Sequence, residues 1–256
     1  MSAGGSQNSG SSSVFAGNCH CGAFKFTVKL TNLNHISSCN CSLCSRNAYL
    51  WAHPASNSDL TVLLGEGSLK SYQYGTSVHK FCPVCGTSIL CKTDKEISVN
   101  VRSLTDVDVE SLSAVVTPCG ITVEPSQLQF AMDSPPGDLH ATCHCGGITY
   151  TLHMTPAATK SCNCSICSRN GVLWAYPLTK DVTVRAQTSL VEYTFGRKQI
   201  VHGFCGTCSV PVWEYFLNPA KAHTMGINVR AIADFEFARL PTRVHNGKAT
   251  PPQYQA

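Results

Sequence analysis

The sequence predicts a mainly β fold assembled twice over, and three observations carry that expectation. Apolar residues fall in short alternating runs, the whole pattern recurs once along the 256 residues, and the cysteines sit alike in both copies. The alternation is plain in AFKFTVKL (23–30) and ITYTLHM (148–154), where every second side chain is apolar, as in half-buried strands. ISVNV and GINVR are β-branched and read as further strands. LTVLLGEGSLKSYQYG reads as a hairpin turning at Gly65–Gly67. Helical turns are confined to SLCSRNAYLWA, its repeat, and AIADFEFARL.

The repeat spans five blocks in one order. GNCHCGAFKFTV (Gly17–Val28) returns as ATCHCGGITYTL (Ala141–Leu152), and CNCSLCSRNAYLWAHP (Cys39–Pro54) as CNCSICSRNGVLWAYP (Cys162–Pro177). SLKSYQYG returns as SLVEYTFG, VHKFCPVCGTSI as VHGFCGTCSVPV, and VNVRSL as INVRAI. Such self-similarity marks tandem homologous domains. The sequence reads as a disordered Gly/Ser-rich tail over 1–13, a first unit over 14–135 and a second over 136–256. The join is placed in DSPPGD, Asp133–Asp138, where Pro and Gly punctuate the chain.

Hydrophobic content of 43% with 13% charged residues describes a globular chain. A net charge of +4 with no Lys/Arg run longer than two gives little footing for nucleic acid. The N-terminus lacks a basic-then-apolar leader, and no apolar run approaches the roughly 20 residues that span a bilayer. The expected compartment is the reducing cytosol, with the nucleus as the alternative. There, sixteen cysteines read as metal ligands, because disulfides do not persist and neighbouring C-x-C pairs bridge poorly.

Each unit carries C-x-C, then C-x-C-x2-C, then C-x2-C. The last is a knuckle whose tight turn supplies two thiolates, and the first pair supplies two more. Closed four-sulfur sites follow from Cys19, Cys21, Cys82 and Cys85, and from Cys143, Cys145, Cys205 and Cys208, with zinc the expected ion and iron a chemical alternative. Three cysteines remain per unit: Cys39, Cys41 and Cys44, then Cys162, Cys164 and Cys167. Three thiolates can hold a zinc and leave a fourth position for an exchangeable ligand, the mark of a catalytic rather than a structural site. So electron-rich an ion suits a bound thiol better than an activated water, so the favoured chemistry is at sulfur. The competing reading closes the trio with a fourth protein ligand, His79 or His202.

Taken together, GNCHCGAFKFTV, CNCSLCSRN, FCPVCGT and VNVRSL resemble blocks of the glutathione-dependent formaldehyde-activating family, shared with centromere protein V, twice over and across nearly all of residues 15–240. The resemblance implies a zinc-bearing β-tent fold with about two zinc ions per domain. It also implies carbon–sulfur lyase activity on a glutathione adduct of an aldehyde or other electrophile. Carried over, the trios take the catalytic-zinc role and the other eight cysteines the structural one. Two positions depart from the family pattern. Ser209 stands where the first knuckle has Gly86, which predicts a distorted turn or a weaker site, and the usual arginine pair is Ser45–Arg46 and Ser168–Arg169.

Arg46 and Arg169 are candidates to pair with a substrate carboxylate, or to be surface arginines. His79 and His202 recur and are candidate general acid/base groups, or hydrogen-bond partners of cysteine sulfur. Trp51 and Trp174 read as core, Asn47 and Asn170 as turn formers, Asn100–Arg102 and Asn228–Arg230 as strand-end pocket residues, and Cys91 and Cys119 as unpaired thiols without a cysteine counterpart. Besides the glutathione enzyme, two functions remain open. One is an enzyme of the same fold acting on a specialised metabolite without glutathione; the other is a non-catalytic zinc module.

Overall fold

A computed structural model describes residues 12–117 and 135–255. Residues 1–11 of the expected tail, Cys119, and Asp133 and Ser134 of the expected join lie outside them.

The first unit runs β1 (Ser13–Asn18), β2 (Lys25–Leu30), β3 (Ile36–Ser38), α1 (Ser42–Asn47), β4 (Trp51–Ala52), β5 (Leu60–Leu64) and β6 (Lys70–Tyr74). It continues with β7 (Ser77–Phe81), β8 (Ser88–Lys92), β9 (Ile97–Asn100) and β10 (Ala114–Val116). The second repeats the order: β11 (Leu139–Thr142), β12 (Ile148–Leu152), β13 (Thr159–Cys162), α2 (Ser165–Asn170), β14 (Trp174–Ala175) and β15 (Val182–Gln187). Then follow β16 (Leu190–Tyr193), β17 (Ile200–Cys205), β18 (Pro211–Phe216), β19 (Met225–Asn228) and β20 (Thr242–His245). Each unit pairs a three-stranded sheet, β1-β2-β5 or β11-β12-β15, with a seven-stranded one, β10-β3-β4-β9-β8-β7-β6 or its equivalent β20-β13-β14-β19-β18-β17-β16. The mainly β, twofold-repeated architecture is the expected one.

Alternation explains β2, whose Phe26, Val28 and Leu30 are buried while the residues between face outward. Two expectations need correction. LTVLLGEGSLKSYQYG is not a hairpin: β5 pairs with β2 and β6 with β7, in different sheets. Gly65 and Gly67, at φ +78° and +80°, turn the chain from one sheet to the other instead of back on itself. The first strand also begins inside the expected tail, with Ser13 paired to Leu30. AIADFEFARL carries only a single 3₁₀ turn within its span, at Phe237–Arg239, following the turn at Val229–Ala231. Among the described residues no helix is long and apolar enough to cross a membrane.

The two units share a core. One cluster gathers Leu43, Tyr49, Trp51 and Tyr74 of the first unit with Tyr150, Val212, Trp213 and Ile227 of the second. Polar contacts cross as well. His20 reaches Ser165 Oγ at 2.8 Å and Tyr193 Oη at 2.9 Å, and its counterpart His144 reaches Tyr72 Oη at 2.7 Å. Each of these histidines is the middle residue of a C-x-C pair, so the cysteine sites are tied to the neighbouring unit.

Candidate functional site

The C-x-C turns and the knuckles converge in each unit. Four sulfurs gather from Cys19, Cys21, Cys82 and Cys85, and four from Cys143, Cys145, Cys205 and Cys208, each set lying within 4.8 Å of one another. The separations Cys19–Cys21 and Cys21–Cys82 are 3.5 and 3.6 Å, and Cys143–Cys145 and Cys145–Cys205 are 3.6 and 3.5 Å. A zinc–sulfur bond of about 2.3 Å gives tetrahedral edges of about 3.8 Å, so these sets fit a tetrahedral ion. Backbone amides already point at sulfur: Phe24 N–H donates to Cys19 Sγ and Ile148 N–H to Cys143 Sγ, both at 3.3 Å.

Ser209 does not spoil the second knuckle. It adopts the same left-handed backbone as Gly86, φ +62° against +73°, and the four sulfurs around it still gather. Its hydroxyl lies 3.2 Å from Tyr49 Oη and 3.0 Å from Ser88 Oγ, both in the first unit. The expected distortion is absent.

The trios form at the start of the two short helices. Cys39, Cys41 and Cys44 group within 4.8 Å, as do Cys162, Cys164 and Cys167. Cys41 caps α1, its sulfur accepting the Cys44 N–H at 3.5 Å. No fourth His, Cys, Asp or Glu donor among the described residues joins either trio, and neither His79 nor His202 does.

Ionisation within these sets is one-sided. Hydrogen bonds from Cys19, Cys21 and Cys82 hold the Cys85 thiol far below its usual range, while Cys82 and Cys21 are pushed far above it. Cys205 is lowered likewise by Cys143, Cys145 and Cys208. In the trios, bonds from Cys164 and Cys167 lower Cys162 to about 2, and the bond from Cys44 brings Cys41 to about 7. Thiols sharing a set are driven apart, Cys85, Cys205 and Cys162 downward and Cys82, Cys208 and Cys167 upward, so full ionisation of any set calls for a cation. The donor sets fit metal, and all fifteen cysteines among the described residues are unbridged.

Beside Cys162, Cys164 and Cys167 lies a cavity of about 680 Å³. Trp174, which the sequence assigns to the core, is buried and also donates Nε1–H to Cys167 Sγ at 3.4 Å. His202 stacks on Phe195 at 5.6 Å, and its Nδ1 lies 3.3 Å from Glu214 Oε2. Burial drives His202 to about 4, so it is neutral near pH 7. The C-terminal segment closes the cavity: Gly247 packs so tightly that a Cβ there would sit 2.6 Å from Cys164 Cβ and 2.7 Å from Cys162 Sγ. In the first unit His79 is likewise buried and lowered to about 4; it stacks on Tyr49, and its Nε2 lies 3.8 Å from Cys91 Sγ.

The arginines go elsewhere. Arg46 and Arg169 are buried, not surface residues, and each donates to the carbonyl four residues back, Ser42 O at 2.9 Å and Ser165 O at 3.1 Å. Arg169 also donates to Asn18 Oδ1 of the first unit at 2.8 Å. It borders a separate cavity of about 430 Å³ that touches Cys164. Asn100 and Asn228 are fully buried and brace 3₁₀ turns through the Arg102 and Arg230 amides. Arg102 spans the units, donating to Ala48 O and Ser168 O.

Sequence reasoning missed Glu214 and Tyr176. Tyr176 Oη–H donates to Glu214 Oε1 at 2.6 Å, and both line the large cavity. A signal was present: running the repeats past the knuckle sets VHKFCPVCGTSILCK against VHGFCGTCSVPVWEY and puts Glu214 opposite Cys91. A lone carboxylate in an apolar strand asks for a purpose.

The sequence profile of the glutathione-dependent formaldehyde-activating enzyme family matches residues 14–114 and 138–245. A crystal structure of a Rhodobacter sphaeroides protein is similar to part of the chain, at 25% identity, covering 41% of this chain and 99% of that one with a TM-score of 0.36. With both matched segments carrying the same gathered cysteines, the chain belongs to the glutathione-dependent formaldehyde-activating enzyme family and holds its domain twice.

Proposed function

We propose that this chain is a zinc-dependent enzyme of the carbon–sulfur lyase type, acting on the adduct of glutathione with an aldehyde or other electrophile. One observation supports this reading above all. Three sulfurs gather in each unit with no fourth such donor among the described residues, and in the second unit they border a 680 Å³ cavity. Zinc held there would supply a position that takes up a thiol sulfur and keeps it nucleophilic near neutral pH. The four-sulfur sets would hold zinc for the fold, giving about two ions per unit.

The cavity suits such a substrate. Lys160, Arg197 and Lys221 offer positive charge to the carboxylates of glutathione, and Trp174, Tyr176 and Phe216 provide apolar walls that limit water. Arg169 is available to a carboxylate that reaches the neighbouring 430 Å³ cavity. His202 lies 3.3 Å from Glu214 Oε2, within reach to share a proton with that carboxylate. The unbridged thiols suit a reducing compartment such as the cytosol. The aromatic walls also favour a second reading, turnover of a specialised metabolite without glutathione.

Metal analysis joined to turnover tests the proposal. The full chain should carry close to four zinc ions (two units, two sets each). Replacing Cys162, Cys164 and Cys167 by Ala should remove about one ion and leave the fold intact, because the four-sulfur sets do the structural work. Turnover of a glutathione–aldehyde mixture that stops on omitting glutathione supports the first reading; turnover unchanged without it supports the second. A fully loaded chain that neither binds nor converts glutathione adducts would contradict the proposal.

A further inference from the structure

Glu214 belongs to none of the sulfur sets, yet its side chain is buried beside the trio's cavity, 5% exposed. Its two oxygens are both engaged, Oε1 by the Tyr176 hydroxyl at 2.6 Å and Oε2 by His202 Nδ1 at 3.3 Å. Burial raises the Glu214 carboxyl to about 7, and burial with the adjoining carboxylate drives the Tyr176 phenol far above its usual range, so the tyrosine remains a donor. Lys160 Nζ stands 4.3 Å from the centre of the Tyr176 ring.

The repeat supplies an internal comparison. Glu214 stands where the first unit has Cys91, Tyr176 where it has His53, Gly226 where it has Ser98, and Lys160 where it has Ser37. These four positions depend on one another. A Cβ at Gly226 would lie 2.7 Å from Glu214 Cγ and 3.1 Å from Tyr176 Cε1, so the serine of the first unit has no room there. In the first unit His53 turns instead to Ser37 Oγ at 2.8 Å and Ser98 Oγ at 3.1 Å. The positions of the carboxylate and the phenol are thus taken in the first unit by a thiol and an imidazole.

We propose that Tyr176 and Glu214, the latter held by His202, form a proton-carrying relay, and that the second unit is therefore the site of turnover while the first binds thiol without it. The inference rests on the enzymatic reading above. In the forward direction the thiol gives its proton to Glu214 as its sulfur settles beside the trio. The sulfur–carbon bond then forms, the carbonyl π pair moves to oxygen, and Tyr176 donates its proton to that oxygen and regains one from Glu214. In reverse the hydroxyl proton returns through Tyr176 to Glu214, the carbon–sulfur bond breaks, and the departing sulfur keeps the pair and takes the proton. No oxidant or reductant enters.

Proton counting tests this apart from turnover. Glutathione is titrated calorimetrically into the zinc-loaded full chain in two buffers of different ionisation enthalpy, at about pH 7.5. Glu214→Gln should release about one more proton per chain to buffer than the parent, because the relay no longer retains it. Cys91→Ser should leave the count unchanged, and both variants should keep their full zinc. Turnover should fall by about 10²-fold or more in Glu214→Gln and in Tyr176→Phe. An unchanged proton count, zinc loss in Glu214→Gln, or turnover within about threefold of the parent would overturn the relay. Failure of the parent itself to bind glutathione would instead sink the enzymatic reading, and the relay with it.

Discussion

Gly86 and Ser209 occupy the same turn of the two knuckles with the same left-handed backbone, yet they are not interchangeable. A Cβ on Gly86 would meet the Phe204 ring of the other unit at 2.7 Å, whereas the Ser209 side chain finds room and two hydroxyl neighbours. Gly86→Ala combines positive φ with overpacking against a buried ring, so it should destabilise the chain by about 2–3 kcal/mol, read as a lowered denaturant midpoint. No shift would contradict the packing. At this scale the gathered sulfurs were legible in the sequence, because C-x2-C and C-x-C-x2-C already hold cysteines close together along the chain. Glu214 and Tyr176 were not, since they lie 38 residues apart and meet only through strand pairing. The surface reading of Arg46 and Arg169 misled in the same way, since both are buried: proximity to the trio in sequence says nothing of which way a long side chain leaves a helix.

The two hexapeptide helices place the trios, and their ends explain their length. α1 stops at Ala48 and α2 at Gly171, both left-handed, φ +48° and +57°. The two ends abut: a Cβ on Gly171 would lie 2.5 Å from Ala48 Cβ, so one of the pair must lack it. Alanine in that conformation is strained by roughly 1 kcal/mol, and Ala48→Gly should stabilise the chain by about that amount, seen as a raised unfolding midpoint. Destabilisation would show that the Ala48 methyl contributes more by packing than its backbone loses. Strand identity was legible in β2, β9, β12 and β19 from alternation and β-branching. Strand partners were not: β5 and β6 sit next to each other in sequence like a hairpin, but pairing is decided by which sheet each apolar face can cover, a property of the whole unit.

The molecule is two homologous units but one packed body. Leu43, Tyr49 and Tyr74 pack with residues of the second unit, Phe204 fills the space over Gly86, and Arg102 and Arg169 bridge the units through hydrogen bonds. Either half expressed alone would expose that apolar surface, and each should aggregate or lose cooperative unfolding, measured by size-exclusion and denaturant titration. Two soluble, cooperatively folding halves would contradict the shared core. The sequence disclosed the duplication but not this interlock, because cross-unit partners such as His20 and Ser165 follow no period along the chain. At this scale the central claim concerns coordination: two sets complete with sulfur, two with three sulfurs each. Zinc X-ray absorption on the loaded chain measures it directly. The mean should be about 3.5 sulfurs per zinc, rising toward 4 when glutathione is added. Four sulfurs from the outset, or no change with glutathione, would contradict it.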